Sequence, residues 1–371
     1  MINYLVVGGS HLQVDYIETV KSEGFKVHVV DYDPDCVGAK TADVFHCISI
    51  DDKDEILSLA KKLEISGIHS VATEQGNITA NYVAEQLNLP CNGYQVALNT
   101  TDKSRMKKVL SKSGLATPDS IVLSSERNLN SLDVHYPVIV KASDRSAGRG
   151  VSLANNPDEL LIAFRLAMQE SFNKIVLVEE YIEGPQYSIE TISSNGEHYV
   201  VAVTHMTFSG PPDFVERQHT LPAHINDDLR AKLEKYAFAA LKAFEIRTGA
   251  CHLEVRVRAD LEISMIEIAS RMGGWRHWMV EGALGIDYLK LILDSSLGRA
   301  VFFNRKKQGF SAIARTIVDQ TDYDKYLQNK NGKEEIIADW VKSGMPTSKA
   351  TNLIHTHGFY ISLKEGTDYV G

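Results

Sequence analysis

The chain opens on an apolar run, "YLVVGG", followed by "HLQVDYIETVKSEG", whose apolar residues recur every three or four positions. The first suits a buried strand, the second a helix that ends at Gly24. The alternation continues: "KVHVVD", "CISI" and "HSVAT" read as strands, "DKDEILSLAKKLE" and "NITANYVAEQLN" as helices. Strands alternating with helices of this length predict a parallel sheet covered on both faces. Periodicity fades across "CNGYQVALNTT", which places a boundary near Asn92 to Thr101.

Beyond it, "DKSRMKKVLSKSG" predicts an amphipathic helix stopped by Gly114. "TPDSIVL" and "YPVIVKAS" predict strands, and "NPDELLIAFRLAMQES" a helix with Pro157 in its first turn. "KIVLVEEYI" reads as a strand, 227–244 as a long helix, "ACHLEVRVR" and "EISMIEIAS" as strands, and "EGALGIDYLKLILDSSLG" as one helix. In the tail from Phe310, "SAIARTIV" and "GFYISL" are strand-like. The expected fold is α/β plus α+β. A parallel-sheet unit spans 1–100, a small unit 101–185, and a larger unit 186–371.

Composition narrows the function classes. The 371 residues are 44% hydrophobic and 23% charged, as in a globular protein of two or three domains. A net charge of -9 argues against non-specific nucleic-acid or anionic-membrane binding, though not against a local positive pocket. Cys36, Cys47, Cys91 and Cys251 are scattered without a CxxC pair, which points to reduced thiols and a cytoplasmic location. The N-terminal apolar patch is too short for a signal peptide, and no later stretch reaches the length of a membrane span.

Three stretches carry candidate chemistry. A hairpin turning at "RADLE" sets Glu254 opposite Glu267, about 5 Å apart on one face. Two like charges so placed need a counter-charge, and a hard divalent cation is a natural one; the alternative is an exposed face with two solvated glutamates. Period-two alternation puts His252 on the Glu254 face and Arg271 on an extension of the Glu267 face. In "YPVIVKASDRSAGRGVSL", Lys141 ends an apolar strand, and a loop with Gly148 and Gly150 can bring backbone N–H groups to an anion. The sequence has neither GxxxxGK[ST] nor GxGxxG, which disfavours a dinucleotide oxidoreductase. In "KIVLVEEYIEG", Glu179 and the backbone after it could read an adenine edge, with Ile182 covering the ring.

The order of these elements resembles the ATP-grasp superfamily over roughly residues 1–297. The resemblance implies that Lys103 and Lys141 contact the nucleotide and that Ser146, Gly148 and Gly150 lie in a mobile phosphate loop. It implies that Glu179, Glu180, Tyr181 and Ile182 form the adenine hinge, that Glu254 and Glu267 hold Mg²⁺ (or Mn²⁺), and that Arg271 steadies the transferred phosphoryl group. Two positions depart from the pattern: Ala269 stands where a metal-binding asparagine is frequent, and Gln186 where a ribose-binding glutamate is. Within the superfamily the chain is most similar to bacterial L-amino acid ligases. "FVERQHTLPA" resembles their substrate loop, with Glu216 and His219 at matching positions, and Gly273, Gly274 and Trp275 fall at the acceptor pocket. The implied activity is ATP- and Mg²⁺-dependent joining of a carboxylate to an amine through an acyl phosphate, with small-molecule partners. A homodimer is expected by the same likeness. The competing readings are a purine-pathway carboxylase or ribosylamine ligase, and a non-catalytic nucleotide-binding regulator.

Overall fold

The computed structural model describes residues 2–211, 214–332 and 334–366. The first sheet is parallel, with strands β1 (Asn3–Val7), β2 (Lys26–Asp31), β3 (Val44–Cys47) and β4 (Gly67–His69) in the order β3-β2-β1-β4. From Tyr4 to Val7 β1 is fully buried because both its faces are covered. Tyr4 and Val6 share a core with Tyr16, Ile17 and Val20 of α1 (Val14–Ser22). Leu5 and Val7 pack with Ile56 and Ala60 of α3 (Lys53–Leu63) and with Val83 and Ala84 of α4 (Glu74–Gln86); α2 (Val37–Thr41) links β2 to β3. Within 92–101, where periodicity fades, a short helix, α5 (Tyr94–Asn99), begins after Gly93, whose φ of 88° suits a residue without a Cβ. It is too short to show a helical period.

α6 (Lys103–Ser113) leads to an antiparallel sheet of β5 (Ser120–Leu123), β6 (Val138–Ala142), β7 (Ser152–Ala154) and β8 (Val176–Glu180), in the order β5-β8-β6-β7. Alternation explains its two faces. Val138, Val140, Val176 and Val178 pack on Leu160, Ala163, Phe164 and Ala167 of α7 (Pro157–Glu170), while Ile139, Lys141 and Glu179 turn towards a cavity.

The third sheet is antiparallel and eight-stranded, in the order β13-β12-β9-β10-β11-β14-β16-β15. Its strands are β9 (Gln186–Ser194), β10 (Glu197–Phe208), β11 (Glu216–Leu221), β12 (Gly249–Val257), β13 (Ile263–Ala269), β14 (Phe310–Ile317), β15 (Glu335–Val341) and β16 (Gly358–Glu365). Leu229, Leu233, Ala237 and Leu241 of α8 (Asp227–Ala243) pack with Ile189, Leu253 and Val255, and with Met106 and Leu110 of α6. The stretch expected as one helix is two, α9 (Arg276–Leu284) and α10 (Tyr288–Ser296), because Gly285 turns left-handed at φ 64° and Asp287 accepts a bond from Lys290 N–H to start the next helix. α11 (Gln320–Lys330) and β15 lie in the tail and carry mostly polar or half-exposed residues, so no period announces them. Among the described residues no helix is long and apolar enough to cross a membrane.

Candidate active site

The β12–β13 hairpin pairs Glu254 with Glu267, with a bulge between Glu254 and Val255. Both side chains line a cavity of about 350 Å³ between the small sheet and the large one. Lys103, at the first position of α6, reaches Glu267 with Nζ 3.0 Å from Oε2. Glu254 accepts a bond from Gln186 Nε2 at 2.8 Å and lies 3.1 Å from His252 Nε2. The other ring nitrogen of His252 is 2.6 Å from Glu190, a fully buried carboxylate that also accepts from Arg276 Nε at 3.0 Å. Burial opposes charge on His252, but Glu190 outweighs it, and the imidazole pKa is raised to about 9. Burial likewise opposes the charge on Glu190, yet His252 and Arg276 hold its carboxyl down at about 2. The result is a buried, charge-balanced chain that fixes Glu254 from behind.

Lys141, one residue before the end of β6, has its Nζ 2.7 Å from Glu179, which also faces Lys107 at 3.2 Å. Burial lowers the Lys107 amine to about 8 against the pull of Glu179. Ser146, Ala147 and Gly148 line the cavity. Gly150 does not: it packs on α7, where a Cβ would meet Glu170 Cβ at 3.1 Å. Glu180 lines the cavity with its outer end paired to Arg258 at 2.7 Å. Tyr181 lies beside Phe214 and under the Arg256 guanidinium, and the Ile182 carbonyl accepts from Arg256 Nη1 at 2.7 Å. Gln186, expected at a ribose, is held between Glu254 and Arg256 Nε.

Arg271 pairs with Glu74 at the start of α4 and donates to the Met272 carbonyl at 2.8 Å, while its buried Nε has no partner. His219 is 2% exposed, and its Nε2 is 3.0 Å from Glu216 but misaligned for a hydrogen bond. Burial lowers the His219 pKa and Arg276 lowers it further, so the ring is neutral near pH 7. Trp275 wedges between His219 and Phe359, with ring centroids 5.8 and 4.7 Å away, and its indole N–H is unpaired. Gly274 lines the cavity; Gly273 lies beneath it, where a Cβ would come within 2.6 Å of His252 Nδ1. Gly273 is therefore a packing residue, and its N–H donates to Glu190 at 3.3 Å. Residues not singled out from sequence complete the walls: Leu12, Ala72 and Glu74 from the first unit, Phe208, Arg256 and Leu353. Glu190 was findable by the logic that marks Glu267, a charge inside a strand, but "QYSIETISS" does not announce its strand by alternation.

A family model described as an ATP-grasp domain matches residues 134–278. Residues 134–278 are an ATP-grasp domain. The match takes in β6 with Lys141, the glycine loop, the hinge, both facing glutamates and Arg271. Alanine–anticapsin ligase of Bacillus subtilis is 24% identical over 235 residues, covering 57% of this chain and 49% of that protein. The same ligase from Bacillus subtilis strain 168 is 22% identical over 270 residues and is spanned over 57% of its length, so the chain covers about half the length of these relatives. The fold as a whole matches an L-amino acid ligase from Bacillus licheniformis, with TM-score 0.81 at 20% identity over 99% of this chain and 94% of that one. An ADP-bound N5-carboxyaminoimidazole synthetase from Staphylococcus aureus matches with TM-score 0.79 at 18% identity, over 99% of this chain and 94% of that one. The fold of these two structures therefore extends over nearly the whole chain, beyond residues 134–278.

Proposed function

We propose that the protein is an ATP-dependent ligase that joins an amino acid carboxylate to an amine through an acyl phosphate. The observation that carries the reading is the register pair Glu254–Glu267, held in one cavity with Lys103, Lys141 and the unpaired Nε of Arg271. The donor set fits a divalent cation. Glu254 and Glu267 pair in register and line one cavity, and two carboxylates with room for phosphate oxygens suit a hard divalent ion. Glu254 and Glu267 would hold Mg²⁺, leaving the other positions to phosphate and water oxygens. When bound, the ion supplies positive charge to the nucleotide's phosphates.

The remaining work falls to side chains and bound groups. Lys103, Lys141 and Arg271 offset charge as a substrate carboxylate oxygen attacks the γ-phosphorus and the bond to ADP breaks. The amine nitrogen then attacks the acyl carbon, phosphate leaves, and one proton departs from nitrogen. Neutral His219 takes that proton, and Glu216 beside it orients the incoming neutral amine. The loop over 144–150 keeps water from the acyl phosphate. The apolar walls at Leu12, Phe208, Phe214 and Trp275 suit an amino acid with an apolar side chain. The relatives named as alanine–anticapsin and L-amino acid ligases support the same class.

The test is an ADP-release screen over pairs of amino acids with ATP and Mg²⁺, with products read by mass. The reading predicts an amide of two amino acids, formed in step with ADP and lost in Glu267→Gln. ADP release that needs bicarbonate and yields a carboxylated product would contradict it.

A further inference from the structure

The segment 342–357 joins β15 to β16 and lies outside the matched domain. It is tied down at several points. Lys342 N–H donates to the His357 carbonyl at 2.9 Å, Ala350 N–H donates to the Val318 carbonyl at 2.9 Å, and Ala350 packs with Val215 and Val318. At its far end a short 3-10 turn spans Leu353–His355, started by Asn352, whose side chain accepts from His355 N–H at 3.1 Å. Leu353 makes two contacts at once. Its N–H donates to the carbonyl of Ala147 at 3.2 Å, in the middle of the glycine loop, and its side chain is part of the cavity wall.

Ala147 is the residue of that loop that most needs an outside hold. Its φ is 61°, left-handed for a side chain that pays for the conformation, and Gly148 and Gly150 follow at 72° and 68°. Inside the loop, Arg149 folds back on Ser146, donating to its carbonyl at 3.1 Å and to its hydroxyl at 3.2 Å. These bonds shape the turn without fixing it over the cavity. The ends of the loop are held elsewhere, Arg145 by Lys103 Nζ at its carbonyl (2.9 Å) and by Glu170 (3.1 Å), and Gly150 by α7. The bond from Leu353 holds its middle, by attaching Ala147 to a segment anchored beside β14, β15 and β16.

We propose that Leu353 is a positioning and specificity residue of this site: its backbone anchors the phosphate loop at Ala147, and its side chain shapes the substrate wall. The substrate part rests on the reading of the cavity as an ATP-dependent ligase site; the anchoring part does not. The C-terminal segment is then a working part of the site and not an appendage.

The two roles separate by substitution. Leu353→Ala removes the side chain and keeps the N–H. Leu353→Pro removes both, and its geometry is tolerated: Leu353 opens the turn, where proline is favoured, and Asn352 before it is extended at φ -156°, ψ 171°. The first readout is trypsin cleavage after Arg145 and Arg149 without substrate. Leu353→Pro should be cut at least about threefold faster than Leu353→Ala, since loop opening governs cleavage. Equal rates overturn the anchor whatever the reaction is. The second readout is turnover. Leu353→Ala should raise KM for the amino acid that meets the wall by about tenfold, the scale of a lost aliphatic contact, with kcat nearly kept. Unchanged KM for every substrate overturns the specificity role. A wild-type protein that makes no amide overturns the ligase reading and leaves the cleavage result to decide the anchor.

Discussion

Arg271 is held by Glu74 and the Met272 carbonyl, with its Nε free and buried. An arginine placed in this way is poised for a ligand that brings negative charge. Arg271→Ala should lower kcat at least about 10²-fold, the range for losing an electrostatic stabiliser, in steady-state ADP-release kinetics. His69 tests a different property, the cost of burying a titratable ring. It is 8% exposed and its Nε2 has no partner. Burial lowers its pKa to about 4 from 6.5. Between those values the unfolded chain binds a proton that the folded chain refuses, so stability is present above pH 6.5 and is lost as pH falls towards 4. The loss is roughly 3 kcal/mol. Urea unfolding at pH 7 and pH 4 should show wild type losing that much more stability than His69→Gln; equal losses would contradict it.

At the scale of elements, the sequence made some features legible and hid others for physical reasons. β12 and β13 were readable because β-branched runs mark strands, and the facing glutamates follow from where the turn falls. The structure keeps that pairing while inserting a bulge, so the register was readable and its irregularity was not. β9 was missed because it is central and buried at every position, leaving no alternation to see. Most candidate residues line one cavity: Lys141, Glu254 and Glu267 reach it from strand faces, Lys103 from the start of α6, and Gly148 and Arg271 from loops beside them. Gly150 and Gly273 lie off it because a glycine's reason, whether ligand approach or packing, is not written in its identity. α6 shows how an element delivers a site residue. Asp102 accepts from Ser104 N–H at 2.8 Å, Arg105 N–H at 3.1 Å and the Ser143 hydroxyl at 2.7 Å. This cap joins the helix that carries Lys103 to the end of the strand that carries Lys141. Asp102→Ala should cost about 1–2 kcal/mol in chemical denaturation. It should also raise KM for ATP, because both lysines are positioned through the cap.

On the scale of the whole molecule, the first sheet and the large sheet share one apolar core. Tyr4, Tyr16 and Val27 belong to the same cluster as Ile192, Met279, Ile292 and Phe359. The Tyr4 hydroxyl bridges the units, 2.7 Å from that of Tyr16 and 2.6 Å from Ser296 Oγ in α10. That common core holds Leu12, Ala72 and Glu74 against the ATP-grasp domain, so the cavity is finished by parts of the chain far outside residues 134–278. A sequence reading that treats the units separately cannot see such a wall, since its residues are distant in the chain and individually ordinary. The central claim is that this cavity activates a carboxylate by phosphorylation. The most direct measurement uses an amino acid labelled with ¹⁸O in its carboxylate, with ATP, Mg²⁺ and the amine partner. Mass analysis of the released phosphate should find one ¹⁸O atom per amide formed. Amide formation with unlabelled phosphate would contradict the acyl phosphate route.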